Sequence, residues 1–168
     1  GITDVDNGAS KGLAITGSNQ TNGTWYYTRN GGTTWTAIGT VSNTSALLLA
    51  DNASTRLYFA PNANYNGTST AALTVRAWDQ SSGTAGTKVT TATNGGTTAF
   101  SSATDTIAVT VGSVNDAPIN TVPGAQSTAE DTPVVFSAAA GTTIVVADPD
   151  ADPLDVQLSL TVVQGRLR

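Results

Sequence analysis

Short apolar segments that alternate with polar residues, each closed by Gly or Asn, recur along the 168-residue chain, and no stretch keeps a helical period. Leu13-Ala14-Ile15-Thr16 and Leu57-Tyr58-Phe59-Ala60 are two of them. Leu73 to Trp78 places Leu73, Val75 and Ala77 on one face; Ile107 to Val111 and Val156 to Val162 alternate in the same way. Successive side chains of a strand point to opposite faces, so this pattern marks sheets with one face turned to a core. It predicts an all-β, antiparallel sandwich. Ser45 to Asp51, with Leu47-Leu48-Leu49, is too short to assign to strand or to a helical turn.

Composition narrows the chemistry. Hydrophobic residues make up 39%, enough for a core, while charged residues are only 11%. Cys, His and Met are absent. That excludes a disulfide, a thiol nucleophile, a zinc site of the usual kind and a His-based triad. The net charge of −5 lacks the basic footprint of a nucleic-acid binder. No apolar run reaches the length of a membrane-spanning helix, so membrane insertion is not expected. The acidic residues fall in turn and linker motifs, so the chain is not expected to be an enzyme.

One hairpin is legible. Trp25-Tyr26-Tyr27-Thr28 leads through Arg29-Asn30-Gly31-Gly32 into Thr33-Thr34-Trp35-Thr36, and Asn-Gly supplies the positive φ of a tight turn. Thr28 to Trp35 resembles an Asp-box, Ser-x-Asp-x-Gly-x-Thr-Trp: Gly32, Thr34 and Trp35 match, and Thr28 and Asn30 depart conservatively. The resemblance implies a rigid hairpin.

Ile2-Thr3-Asp4-Val5-Asp6 is echoed by Val146-Ala147-Asp148-Pro149-Asp150, each followed by an apolar strand start, Leu13-Ala14-Ile15 and Val156-Gln157-Leu158. The echo suggests tandem repeats, with the chain starting inside one and stopping inside the next. Val114-Asn115-Asp116-Ala117-Pro118 reads as the junction, because Pro118 holds Ala117 extended. The expected organisation is a repeat over 1–114, a linker over 115–123 and opening strands of the next repeat over 124–168.

The acids are clustered. Asp148, Asp150 and Asp152 alternate, Glu130 and Asp131 precede them, and Asn115 and Asp116 sit in the linker. Carboxylate and amide oxygens suit a hard cation such as Ca²⁺, which takes six to eight of them. Between Lys88 and Arg166 there is no Lys or Arg to neutralise these acids. Neither acidic motif is an EF-hand. After Asp148, Pro153 stands where Gly is required and Ser159 where the last Glu belongs; after Asp4 and Asp6, Ile15 takes that last place.

Ala77-Trp78-Asp79, the strand Thr106 to Val111, and Asn115-Asp116-Ala117-Pro118 together resemble the end of a cadherin domain. Pro61-Asn62-Ala63-Asn64-Tyr65-Asn66-Gly67 and Glu130-Asp131-Thr132 are similar to segments of bacterial cadherin-like repeats in large secreted adhesins. The resemblance implies an immunoglobulin-like sandwich, calcium at the junctions and a structural or adhesive role at the bacterial cell surface. It carries Asp79, Asn115, Asp116, Glu130, Asp148 and Asp150 as ligands, with Asp152, Asp4 and Asp6 as further candidates. The long loop from Gln80 to Ser102, rich in Thr and Gly, departs from the family pattern.

The expected partners are neighbouring repeats or copies of the same chain, and a cell-surface glycan or protein. An open sheet edge invites strand addition and head-to-tail assembly, with Val134-Val135-Phe136 and Ile144-Val145-Val146 as candidate donor strands. The alternative expectation is a carbohydrate-binding module that uses exposed aromatics among Trp25, Tyr26, Tyr27 and Trp35. Alternation puts Trp25 and Tyr27 on one face and Tyr26 on the other.

Overall fold

A computed structural model describes residues 10–150 and 156–161. The described residues contain no helix, and every strand pairing is antiparallel. The chain divides into two units, Gly1–Gly112 and Ser113–Arg168.

The first unit holds eight strands: β1 (Gly12–Ser18), β2 (Gly23–Thr28), β3 (Thr36–Ala37), β4 (Ala46–Ala50), β5 (Arg56–Pro61), β6 (Gly67–Trp78), β7 (Lys88–Val89) and β8 (Asp105–Val111). They form a five-stranded sheet in the order β7-β4-β1-β6-β8 and a three-stranded sheet in the order β3-β2-β5. One core joins the two sheets in a sandwich-like arrangement. Ile15, Leu47, Leu49, Leu73 and Val75 come from the larger sheet, and Trp25, with Tyr27, Leu57 and Phe59 packed behind it, from the smaller. Trp25 and Phe59 meet at 5.1 Å between ring centroids.

Leu47-Leu48-Leu49 is strand, in β4, and the reason lies on the other face of the larger sheet. Ala14, Leu48 and Trp78 face away from the first core and pack with Ala99 and Phe100 in a second one. The cover is the Gln80–Ser102 loop, tied down by backbone bonds: Gly86 N–H donates to Leu48 O at 2.7 Å and Thr91 N–H to Asn43 O at 2.7 Å. The Trp78 indole N–H donates to Ser82 O at 2.7 Å. With both faces covered, alternate positions have no reason to be polar, and the strand reads as an unbroken apolar run.

The second unit carries β9 (Ile119–Thr121) and β10 (Val145–Ala147), which pair with each other. β9 falls within 115–123, the stretch read as linker. Val134 to Phe136 form no strand and are exposed. Of the expected strand Val156 to Val162, residues 156–161 are described and pair with nothing among the described residues.

Candidate functional site

The hairpin closes on itself. Its loop, Arg29 to Trp35, is longer than the Arg29-Asn30-Gly31-Gly32 turn expected, because the pairing stops at Tyr27 opposite Thr36. Gly31 and Gly32, not Asn30, take the positive φ values, 74° and 106°. Buried Thr28 Oγ1 accepts from Asn30 N–H at 3.3 Å and Gly32 N–H at 3.2 Å. Asn30 Oδ1 accepts from Thr34 N–H at 3.0 Å, and Asn30 Nδ2 donates to Thr34 Oγ1 at 2.9 Å. The two polar positions that resemble an Asp-box are spent on the loop's own backbone, which is a structural use.

Among the aromatics, Trp25 and Tyr27 share the core face of β2, as alternation grouped them. Tyr26 and Trp35 stand on the outer face with Tyr58, which alternation along β5 places there and which the sequence reading did not select. Tyr58 lies directly across from Tyr26 in the ladder. The Tyr26–Tyr58 and Trp35–Tyr58 ring centroids are 6.2 and 5.7 Å apart. Trp35 is 41% exposed and Tyr58 51%. The three rings line an open apolar hollow of ≈ 280 Å³.

The candidate ligands fall in different places. Asp79 belongs to the first unit, where its Oδ1 accepts from Ser81 N–H at 2.7 Å and caps a turn. Asn115, Asp116, Glu130, Asp148 and Asp150 belong to the second. Asp4, Asp6 and Asp152 lie outside the described residues.

Three of these acids are brought together. Asp116 N–H donates to Asp150 Oδ2 at 3.2 Å, across 34 residues of sequence. Asp150 N–H donates to Asp148 Oδ1 at 3.3 Å. The Asp148 carboxyl is held above its ordinary value of 3.8, first by sharing a side-chain hydrogen bond with Asp150 and then by repulsion from Asp150 and Asp116; the Asp150 backbone N–H partly opposes this. Asn115 Nδ2 donates to Asp116 O at 2.8 Å, which leaves its amide oxygen over. Glu130 sits in a separate turn, closed by Thr132 N–H donating to Ala129 O at 3.3 Å. Asp131 there takes φ 61°.

The donors fit Ca²⁺ in kind, since all are hard oxygens. In number they make a partial site. Among the described residues no three acidic side chains close into a ready-made metal cage.

Comparison with protein-family models, with curated proteins and with solved structures finds no match for this chain.

Proposed function

We propose that this chain is a structural and adhesive segment of a secreted bacterial surface protein, built from immunoglobulin- or cadherin-like repeats and stiffened by Ca²⁺. The observation that carries the reading is the meeting of Asp116, from the junction stretch, with Asp148 and Asp150 in a region without any Lys or Arg. The Asp148 and Asp150 carboxylates, with the Asp116 backbone bonded to Asp150 and no Lys or Arg between residues 88 and 166, favour a cation as the neutralising partner. A cation there ties the beginning of the second unit to its Asp148 turn. Asn115 offers a further oxygen in the same stretch; Glu130 and Asp79 are carried only by the family resemblance, and Asp152, Asp4 and Asp6 only by their place in acidic sequence motifs. On this reading the role is mechanical rather than catalytic, since the acids fall in turn and junction motifs.

Calorimetric titration with Ca²⁺, alongside thermal unfolding in Ca²⁺ and in chelator, tests this. A site specific to the folded chain raises the melting temperature, by about 2.7 kcal/mol of stability at a hundredfold excess over Kd. Saturable binding that Asp150→Asn abolishes supports the reading. Absence of both binding and shift sinks the calcium and leaves the acids as solvated turns.

The second reading is carbohydrate binding on Tyr26, Trp35 and Tyr58, which the exposed apolar hollow favours. A glycan array and Trp fluorescence titration decide it; silence in both, with Trp35→Ala unchanged, removes its support.

A further inference from the structure

The smaller sheet ends in β5, whose far side pairs with no strand among the described residues. Alternate N–H and C=O groups along that side are free to accept another strand. Pro61 closes β5, and Pro within a sheet is tolerated on edge strands, where its missing N–H breaks no ladder. At the start of β5, where the connection from β4 enters it, a cavity of ≈ 250 Å³ opens into the gap between the sheets. Its apolar lining comes from both, Leu13 and Leu49 on the larger sheet and Leu57 on β5, with Asn52 and Arg56 at the rim. A free backbone edge next to an unfilled apolar slot is what a sandwich presents where one strand of the layer is wanting. β3 and β7 are poorer acceptors, each two residues long, and β8 is the competing edge.

The same chain contains a segment of the matching pattern. Val156-Gln157-Leu158-Ser159-Leu160 alternates strictly, pairs with nothing among the described residues, and leaves Val156, Leu158 and Leu160 40%, 46% and 53% exposed. The donors expected earlier serve less well. β10 already pairs with β9, and Val134 to Phe136 lack alternation and adjoin a turn in which Thr142 Oγ1 donates to Val135 O at 2.8 Å.

We infer that Val156–Leu160 of one copy adds in parallel to the β5 edge of a second copy, with Ser159 beside Ala60, Leu158 beside Phe59, and Val156 beside Leu57 at the cavity. This rests on the repeat reading above and names the contact by which repeats join. Backbone bonds supply the affinity, and the alternate apolar side chains fix the register. Donor and acceptor lie on different surfaces, so the contact is heterologous and propagates into a filament unless it closes into a ring.

The chain has no cysteine, which makes disulfide mapping clean. Ala60 on β5 and Ser159 on the donor both lie on the faces turned away from the core in this arrangement, and neighbouring strands sit about 4.8 Å apart, within disulfide reach. Mixing full-length Ala60→Cys with Ser159→Cys under mild oxidation is expected to give an intermolecular link that neither variant gives alone. Unmodified chain is expected to form head-to-tail oligomers by sedimentation and electron microscopy. Leu158→Asp is expected to weaken association by at least about tenfold, the factor that one lost apolar anchor carries. Monomers at every concentration, linkage to Thr110→Cys on β8 instead, or a concentration-independent link within an Ala60→Cys/Ser159→Cys double variant would each overturn the inference. Leu158→Asp serves as its own control through calcium titration. Calcium binding without assembly removes this contact alone, and assembly without calcium binding removes the calcium reading alone.

Discussion

Thr28 and Asp148 show how much a single position discloses. Thr28 is buried and its hydroxyl joins the hairpin loop's own network, so the polar pattern that resembles an Asp-box is explained by local satisfaction. The sequence carried that reading because the spacing of Thr28, Asn30, Gly32 and Thr34 is itself the hydrogen-bond pattern. Asp148 was legible as an acid in a cluster, but its partners were not, since the Asp116–Asp150 contact spans 34 residues. The sign of its effect can be worked out. A carboxyl raised in the folded chain is harder to ionise there than in the unfolded chain, so its ionisation opposes folding. The penalty is absent well below 3.8, grows as pH rises through that ordinary value, and is complete above the raised one. In chelator, Asp148→Asn is therefore expected to raise the melting temperature at neutral pH and to leave it unchanged in acid below 3.8. In saturating Ca²⁺ the same substitution is expected to lower it, because a ligand is lost. Melting curves across pH in both conditions check the reversal; a variant that is destabilised in chelator as well contradicts the like-charge account.

Elements were readable where one face is wet and opaque where both are dry. β5 and β8 announce themselves by alternation; β1, dry on both faces, was still readable because Ala14 and Thr16 are small or polar beside Leu13 and Ile15, whereas β4 was not, because Leu47 and Leu49 enter one core and an equally large Leu48 the other. Its second cover, the Gln80–Ser102 loop, looked like a departure from the family pattern, since its Thr- and Gly-rich composition conceals one anchor, Phe100, bridged to Trp78. Gly83 shows why glycine recurs there: at φ +84° its added Cβ would fall 2.5 Å from Leu48 Cδ1. Phe100→Ala is expected to cost about 3–5 kcal/mol, the range for truncating a buried aromatic. It also uncovers the Trp78 ring. Urea unfolding followed by Trp fluorescence reads both, with a reduced midpoint and a red-shifted native emission. A shift of less than about 0.5 kcal/mol, the scale of an ordinary surface change, would mean that the loop drapes the sheet without anchoring it. Val156 to Leu160 was misread for the converse reason. Alternation tells which side chains share a face; it is silent on whether a partner strand stands beside them.

The two units draw on unequal resources. Every buried hydrophobic side chain among the described residues lies between Ala14 and Phe100, in the first unit. In the second, β9 and β10 are three residues each, and Ile119, Val122, Val135 and Phe136 are more than half exposed. A short unit with so little apolar burial needs another staple, and without cysteine a disulfide is unavailable to it. Metal and added strands are the remaining means, and both proposals supply the second unit from those sources. Amide hydrogen exchange on the whole chain separates the cases. In chelator and at concentrations too low for assembly, amides of β1, β4 and β6 are expected to exchange only through global opening, and those of β9 and β10 at least a hundredfold faster, through local opening about 2.7 kcal/mol cheaper. Adding Ca²⁺ is expected to slow exchange around Asp116 and Asp148 while leaving β1, β4 and β6 unchanged. Raising the protein concentration is expected to protect β5 and residues 156–160 together, whether or not calcium is present. Protection of β9 and β10 equal to that of β1 in chelator would show that the second unit needs no staple, and the physical case for a cation there would lapse.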